Sequence, residues 1–265
     1  MASRRIAVAA TAPFGADVLE RLAARHEVVQ LLTRPDRPRG RGRRVGAPPA
    51  KEAAERLGIP VAQPARLDAS VELAADTVVV CAYGLLIPPA LLARGLWLNV
   101  HPSLLPRWRG AAPVERAIMA GDDETGVTIH ETVEALDAGP IAAQRAFAVG
   151  PEDDAGAVYA RAAEVAADLL DDVLARSEPA FVPQREDGVT YAEKIRPEDR
   201  ELDTERPAQE LVNRVRALSP HIGARLGDLI VWRARVGSDG SFEPLEVQPA
   251  GGRRMAYDAY LRGRR

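Results

Sequence analysis

Asn99 and His101 stand two positions apart in the short apolar run Trp97-Leu98-Asn99-Val100-His101, and Pro102 follows at once. In a strand, side chains at i and i+2 leave the same face, so the amide and the imidazole would point together into whatever cleft lies at the strand's end. Pro102 favours an extended backbone at His101 and cannot donate to a ladder, so the strand should stop there. Open α/β sheets bind their ligands at the carboxyl ends of strands. Asp137, just before Gly139-Pro140, is a third polar candidate. A donating amide, an imidazole that titrates near neutral pH and a carboxylate that orients it could hold a developing negative oxygen and move a proton. The same residues serve equally well as a hydrogen-bonded strand-end pair and a turn-forming aspartate, and taken alone they leave both readings open. His26, His101, His130 and His221 show no metal-ligand spacing, so no metal is expected.

Two further stretches could bind something. Arg34-Pro35-Asp36-Arg37-Pro38-Arg39-Gly40-Arg41-Gly42-Arg43-Arg44 carries six arginines and one aspartate in a chain whose net charge is -3. It reads either as a solvated loop or as an anion site, because clustered like charge is costly without a counter-charge and arginine forks suit phosphate. Its glycines and prolines disfavour a helix, and the expectation is a loop that orders on binding. The second stretch, Val80-Cys81-Ala82-Tyr83-Gly84-Leu85-Leu86-Ile87-Pro88, leaves a strand through a glycine. Ordinary strand-to-helix packing explains it, and so does a turn on which a flat heterocycle lies and bonds to the backbone.

These residues need a scaffold, and the hydropathy pattern supplies one. Ile6–Ala10, Glu27–Thr33, Thr77–Ala82, Trp97–His101, Gly126–Thr132 and Ile141–Val149 read as strands. Helices are expected over Phe14–Arg25, Ala50–Leu57, Pro113–Ala120 and Ala155–Arg176. Repeated strand-helix units imply an α/β fold with a mostly parallel, doubly wound sheet. The first turn, Ala9 to Gly15, lacks the spaced glycines of a dinucleotide site, which excludes a nicotinamide or flavin enzyme. Pro179, Pro183, Asp187 and Gly188 mark a boundary, giving a catalytic domain over 1–183, a linker over 184–205 and a small domain over 206–265. With 46% hydrophobic and 28% charged residues and no long apolar run, the chain is expected to be soluble and free of membrane contact; a monomer is expected, though composition does not decide it. Its single cysteine, Cys81, reads as a buried hydrophobe and fits a reducing cytoplasm.

Asn99-Val-His101-Pro-Ser103-Leu-Leu-Pro106, with Thr125-Gly-Val-Thr-Ile-His130 and Leu136-Asp137-Ala-Gly139, resembles the folate-dependent formyltransferase superfamily. Pro35-Asp-Arg-Pro38, Arg107-Trp-Arg-Gly-Ala-Ala-Pro113, Gly188-Val-Thr-Tyr-Ala192 and Gln248-Pro-Ala-Gly251 resemble the branch that formylates methionine carried on initiator tRNA. The resemblance implies a Rossmann-like sheet with helices on both faces and a small OB-like β-barrel at the C-terminus. It implies 10-formyltetrahydrofolate as donor and initiator methionyl-tRNA as acceptor, with an amino sugar or glycinamide ribonucleotide as the alternative acceptor and a non-enzymatic RNA-binding module as the rival class. By position, Asn99, His101 and Asp137 match the catalytic three. Tyr83, Gly84, Leu85, Leu86, Ile87, Ser103, Leu104, Leu105 and Pro106 match folate-site segments. Arg41 matches the arginine of a tRNA-contacting loop, with Arg37, Arg39, Arg43 and Arg44 beside it.

The chain also departs from that pattern. His130 is more like the glycinamide ribonucleotide enzymes, and Ala10 and Pro13 alter the first turn. Few residues separate Val236 from Phe242, so the barrel is expected to be reduced, incomplete or covered by the C-terminal tail, with Arg253, Arg254, Arg262, Arg264 and Arg265 adding phosphate contacts.

Overall fold

A computed structural model describes residues 4–39 and 44–263, so Arg41, Arg43, Arg264 and Arg265 lie outside the described residues. In chain order the first elements are β1 (Arg5–Ala10), α1 (Pro13–Ala23), β2 (Glu27–Leu32), β3 (Arg37–Arg39), β4 (Arg44–Gly46), α2 (Pro49–Arg56), β5 (Val61–Ala62), β6 (Thr77–Cys81), α3 (Pro89–Leu92) and β7 (Leu96–His101). Next come β8 (Arg109–Gly110), α4 (Pro113–Ala120), β9 (Glu124–Glu131), β10 (Ile141–Ala148), α5 (Ala155–Leu174) and β11 (Tyr191–Ala192). The chain closes with α6 (Ala208–Leu218), β12 (Ala224–Leu226), β13 (Leu229–Val236), β14 (Phe242–Pro249), β15 (Met255–Ala256) and α7 (Tyr257–Arg262).

Seven strands form the main sheet in the order β10-β9-β7-β6-β1-β2-β5. From β7 to β5 every neighbouring pair is parallel, and β9 then runs antiparallel to β7. Ile6 to Ala10 are fully buried, as a central parallel strand requires, and Ala7, Ala9, Val78, Val80, Leu91 and Trp97 share one core cluster. The Arg34–Pro49 stretch, expected to be a loop, instead contains a short antiparallel ribbon in which β3 pairs with β4. A two-stranded ribbon is all edge, where Pro38 is tolerated.

Residues cluster into two compact units, the first comprising 1–109, 126–146 and 160–189, the second 110–125, 147–159 and 190–265. In the second, α6 lays Leu211, Val215 and Leu218 against Ala224, Leu229, Val231 and Val247 of an antiparallel sheet ordered β12-β13-β14-β15. This sheet is open among the described residues, with β12 at one edge and β15 at the other, so no closed barrel forms. Tyr257 and Tyr260 of α7 pack onto the same cluster, so the tail contributes to its cover. Val114 and Ile118 of α4 share a second cluster of this unit with Val149, Val158 and Ala217, which groups that helix with the C-terminal sheet.

The α1 helix begins close against the end of β6. A Cβ on Gly15 would meet the Cys81 carbonyl oxygen and lie 2.8 Å from the Ala10 Cβ, so no side chain fits there. Gly15→Ala is expected to destabilise the protein by about 1–3 kcal/mol through overpacking, read as a lower urea midpoint at unchanged slope.

Candidate active site

The pairing register of β7 explains how its polar residues meet others. Asn99 lies opposite His130 and His101 opposite Thr128 on β9, so all four belong to one face of the sheet. Leu98 and Val100 are buried, at 0% and 2% exposure.

Asn99 Nδ2 donates to His130 Nε2 at 3.0 Å and to Asp137 Oδ1 at 3.1 Å. His130 Nδ1 lies 2.8 Å from the Glu131 carbonyl, which can only accept, so Nδ1 carries the proton and Nε2 presents a lone pair. Both protons of the Asn99 amide therefore have acceptors, and the amide orientation follows. His101 Nε2 likewise faces the Trp108 carbonyl at 2.8 Å and must donate to it. The other ring nitrogen, Nδ1, faces Asp137 Oδ2 across 3.7 Å, too far for a hydrogen bond. The side chains of His130, His101 and Asp137 are 1%, 5% and 11% exposed.

Burial is the main influence on His101, pushing its pKa below the ordinary imidazole value; Asp137 and the Trp108 carbonyl oppose the shift and His130 adds to it. Near neutral pH the ring is then uncharged, and Nδ1 and the Asp137 carboxylate are two acceptors turned toward one another.

The loops around this face are strained. Among the described residues, non-glycine positions with left-handed φ are Ala82 (46°), Trp108 (64°) and Asp137 (46°), which follow β6, β7 and β9 respectively. Strained backbone of this kind gathers at functional sites. Asp137 is both the turn residue and the carboxylate, so the two sequence readings hold together. Thr128 Oγ1 donates to the Ser103 carbonyl (2.7 Å) and accepts from Leu105 N (3.1 Å) and Gln144 Nε2 (2.7 Å), tying down the loop that contains the cis Leu105-Pro106 bond.

The folate-segment residues fall in two loops. Ser103 is fully buried, with its hydroxyl donating to the Arg107 carbonyl at 2.7 Å; Leu105 is buried, and Leu104 and Pro106 are half-buried. In the other loop Tyr83 and Ile87 are buried, Gly84 takes φ 73°, and Leu86 is 84% exposed. Leu85 and Leu86 line a shallow cavity with Ala65, Arg66, Leu67 and Asp68. The Tyr83 hydroxyl is buried without a hydrogen-bond partner, and burial raises its pKa to about 12. Arg37 is exposed on the ribbon, whose backbone also includes Arg39 and Arg44. Asp36, the acid of the basic stretch, is bound by Lys51 Nζ at 2.8 Å. Gln144 and the Trp108 carbonyl were not singled out in the sequence, while Thr128 and His130 fell inside the Thr125–His130 motif without a role assigned to either.

Comparison with known proteins bears on the whole chain. Residues 4–174 match the formyl transferase family model. A methionyl-tRNA formyltransferase of Halorhodospira halophila is 41% identical over 300 aligned positions, covering 98% of this chain and 96% of that protein. The corresponding protein of Xanthomonas axonopodis pv. citri is 47% identical over 229 positions, covering 82% of this chain and 74% of its own length. Among solved structures, an N-formyltransferase from Helicobacter canadensis in complex with folinic acid and dTDP-3-aminofucose superposes with TM-score 0.68 at 17% identity, covering 89% of this chain and 88% of that one, which shows a shared fold.

The depressed His101 pKa has a consequence for stability. Above about pH 6.5 the imidazole is neutral in folded and unfolded chains alike; as pH falls below that, the unfolded chain takes up a proton that the buried ring resists, and stability is lost. The wild-type melting temperature should therefore drop more steeply between neutral and mildly acidic pH than that of His101→Gln.

Proposed function

The chain belongs to the folate-dependent formyl transferase family, and from that we propose that it moves the formyl group of 10-formyltetrahydrofolate onto the α-amino group of methionine esterified to initiator tRNA. The supporting observation is the cluster of half-buried Asn99 and Asp137 with buried His101 at the end of β7, in a chain that matches methionyl-tRNA formyltransferases over nearly its full length.

An α-amino group has a pKa of roughly 7.7–8, so part of it is already neutral near pH 7 and needs no strong base. Its nitrogen attacks the formyl carbon, and the formyl oxygen becomes negative. Asn99 turns one amide proton from its internal acceptors to that oxygen, a contribution of about 10²–10³ in rate. The proton released by the amine passes to His101 Nδ1, whose charge the nearby Asp137 carboxylate balances, and from there to the departing folate nitrogen. With His101 neutral in the free site, the imidazole acts first as an acceptor and becomes a charged donor only once that proton arrives.

Tyr83, Gly84, Leu85, Leu86 and Ile87, with Ser103, Leu104, Leu105 and Pro106, form the folate-binding segments in this reading. Arg37, Arg39, Arg41, Arg43 and Arg44 take tRNA phosphates, their charge little offset by Asp36, which Lys51 engages. The open four-stranded sheet serves as a shortened OB-like module, and the enzyme works as a cytoplasmic monomer.

The test is formyl transfer to charged initiator tRNA, with free methionine and an amino sugar as controls; equal turnover of a small amine would overturn the assignment. Asn99→Ala is expected to lower kcat by about 10²–10³ with little change in KM. If about four arginines meet phosphates, tRNA affinity falls about a hundredfold between about 50 and about 200 mM salt. Replacing the five loop arginines by glutamine should flatten that dependence in a filter-binding titration.

A further inference from the structure

The Asp137 carboxylate is carried by a turn that needs help to keep its shape. Asp137 itself has φ 46°, in the left-handed region that aspartate visits more readily than other side chains but that the extended and helical conformations compete with. Two residues on, a Cβ at Gly139 would collide with the Glu131 carbonyl oxygen, so the turn is closed tightly against the end of β9 on that side. Glu131 N–H donates to the Pro140 carbonyl at 2.9 Å there.

Elsewhere the turn meets Gln184. Its side-chain Nε2 donates to the Asp137 carbonyl and to the Gly139 carbonyl, each at 2.8 Å. The amide oxygen accepts from Arg109 Nε at 3.1 Å and Nη2 at 2.6 Å. A guanidinium can only donate and a carbonyl only accept, so the Gln184 amide has one permitted orientation. Backbone pairing delivers it: Ile141 N–H donates to the Val182 carbonyl at 2.7 Å and Val182 N–H to the Ile141 carbonyl at 2.9 Å, just beyond the turn.

We propose that Gln184 is a positioning residue for formyl transfer: its amide clamps the two carbonyls that flank Ala138 and so aims the Asp137 carboxylate at Asn99 and His101, while Arg109 locks the clamp's orientation. The proposal rests on the catalytic reading of Asp137 given above. Without the clamp the turn is free to leave its left-handed conformation, and the carboxylate moves relative to Asn99 and His101. A displacement near 1 Å at such a point costs up to about a hundredfold in rate.

The experiment compares full-length wild type, Gln184→Leu, Gln184→Glu and Asp137→Ala in formyl transfer from 10-formyltetrahydrofolate to methionyl-tRNA, with melting temperatures recorded in parallel. Gln184→Leu is expected to lower kcat by about ten- to a hundredfold with both KM values within about twofold, and to displace the acidic limb of the kcat–pH profile. Lost packing alone would reduce the melting temperature and the active fraction without moving that limb. Gln184→Glu keeps the Arg109 pair but sets an acceptor against two carbonyls, so it should lose at least as much. This variant decides the matter if Gln184→Leu does not fold. If both folded variants keep wild-type kcat and pH profile while Asp137→Ala is inactive, the clamp is wrong and the catalytic reading stands. If Asp137→Ala is fully active, the catalytic reading falls and the clamp with it.

Discussion

The candidate site turns on one amide group. Asn99 Nδ2 spends its protons on His130 Nε2 and Asp137 Oδ1, and so sets the position of the carboxylate against the imidazole of His101. The two imidazoles are buried and Asn99 and Asp137 half-buried, and a buried polar group left unmatched costs about 1–3 kcal/mol. The cluster therefore has few alternatives to this arrangement. His130 must protonate on Nδ1 because the Glu131 carbonyl asks for it, and His101 on Nε2 because the Trp108 carbonyl does. His101 Nδ1 then faces Asp137 Oδ2 across 3.7 Å, on the face of the sheet that also carries Asn99.

Holding those groups costs backbone energy. Left-handed φ at Ala82, Trp108 and Asp137 costs about 1–2 kcal/mol apiece, and the surrounding contacts offset it. Arg107 lies over the Trp108 ring at 4.4 Å, and the Ala82–Tyr83 turn is fastened by Thr11 Oγ1 to the Tyr83 carbonyl at 2.9 Å. One contact is made by the adjacent residue and the other by a side chain 72 residues away, and among the described residues the non-glycine left-handed positions fall in the three loops that follow β6, β7 and β9.

The C-terminal unit is organised by different physics. Its sheet is short and open, and α6 with the tyrosines of α7 provides much of the apolar cover. The Halorhodospira halophila protein aligns over 300 positions to a chain of 265 residues, so that relative carries stretches absent here. Trp232 illustrates the local compensation: Arg254 lies 3.5 Å over its ring and the indole N–H donates to Gln248 at 3.1 Å, tying the tail to β13 and β14.

Local periodicity in the sequence was enough to find six of the seven main-sheet strands, the longer helices and the mostly parallel character of the sheet, because burial on both faces demands continuous apolar runs such as Val78 to Cys81; the two-residue edge strand β5 and the β3–β4 ribbon are too short to carry a period. It also determined that Asn99 and His101 share a face and that Pro102 ends their strand, since both follow from the two-residue repeat and the missing N–H. The family was legible for the same reason, in long contiguous motifs. Only the tertiary structure decided what those two residues meet. His130 arrives through antiparallel register from 31 residues away, Asp137 through a strained turn 38 residues away, and the Trp108 carbonyl through a left-handed residue whose type gives no hint of it. Tautomers, burial and the direction of the His101 shift follow from those meetings, and no spacing along the chain encodes them because they depend on which carbonyls and carboxylates the fold brings within hydrogen-bonding distance.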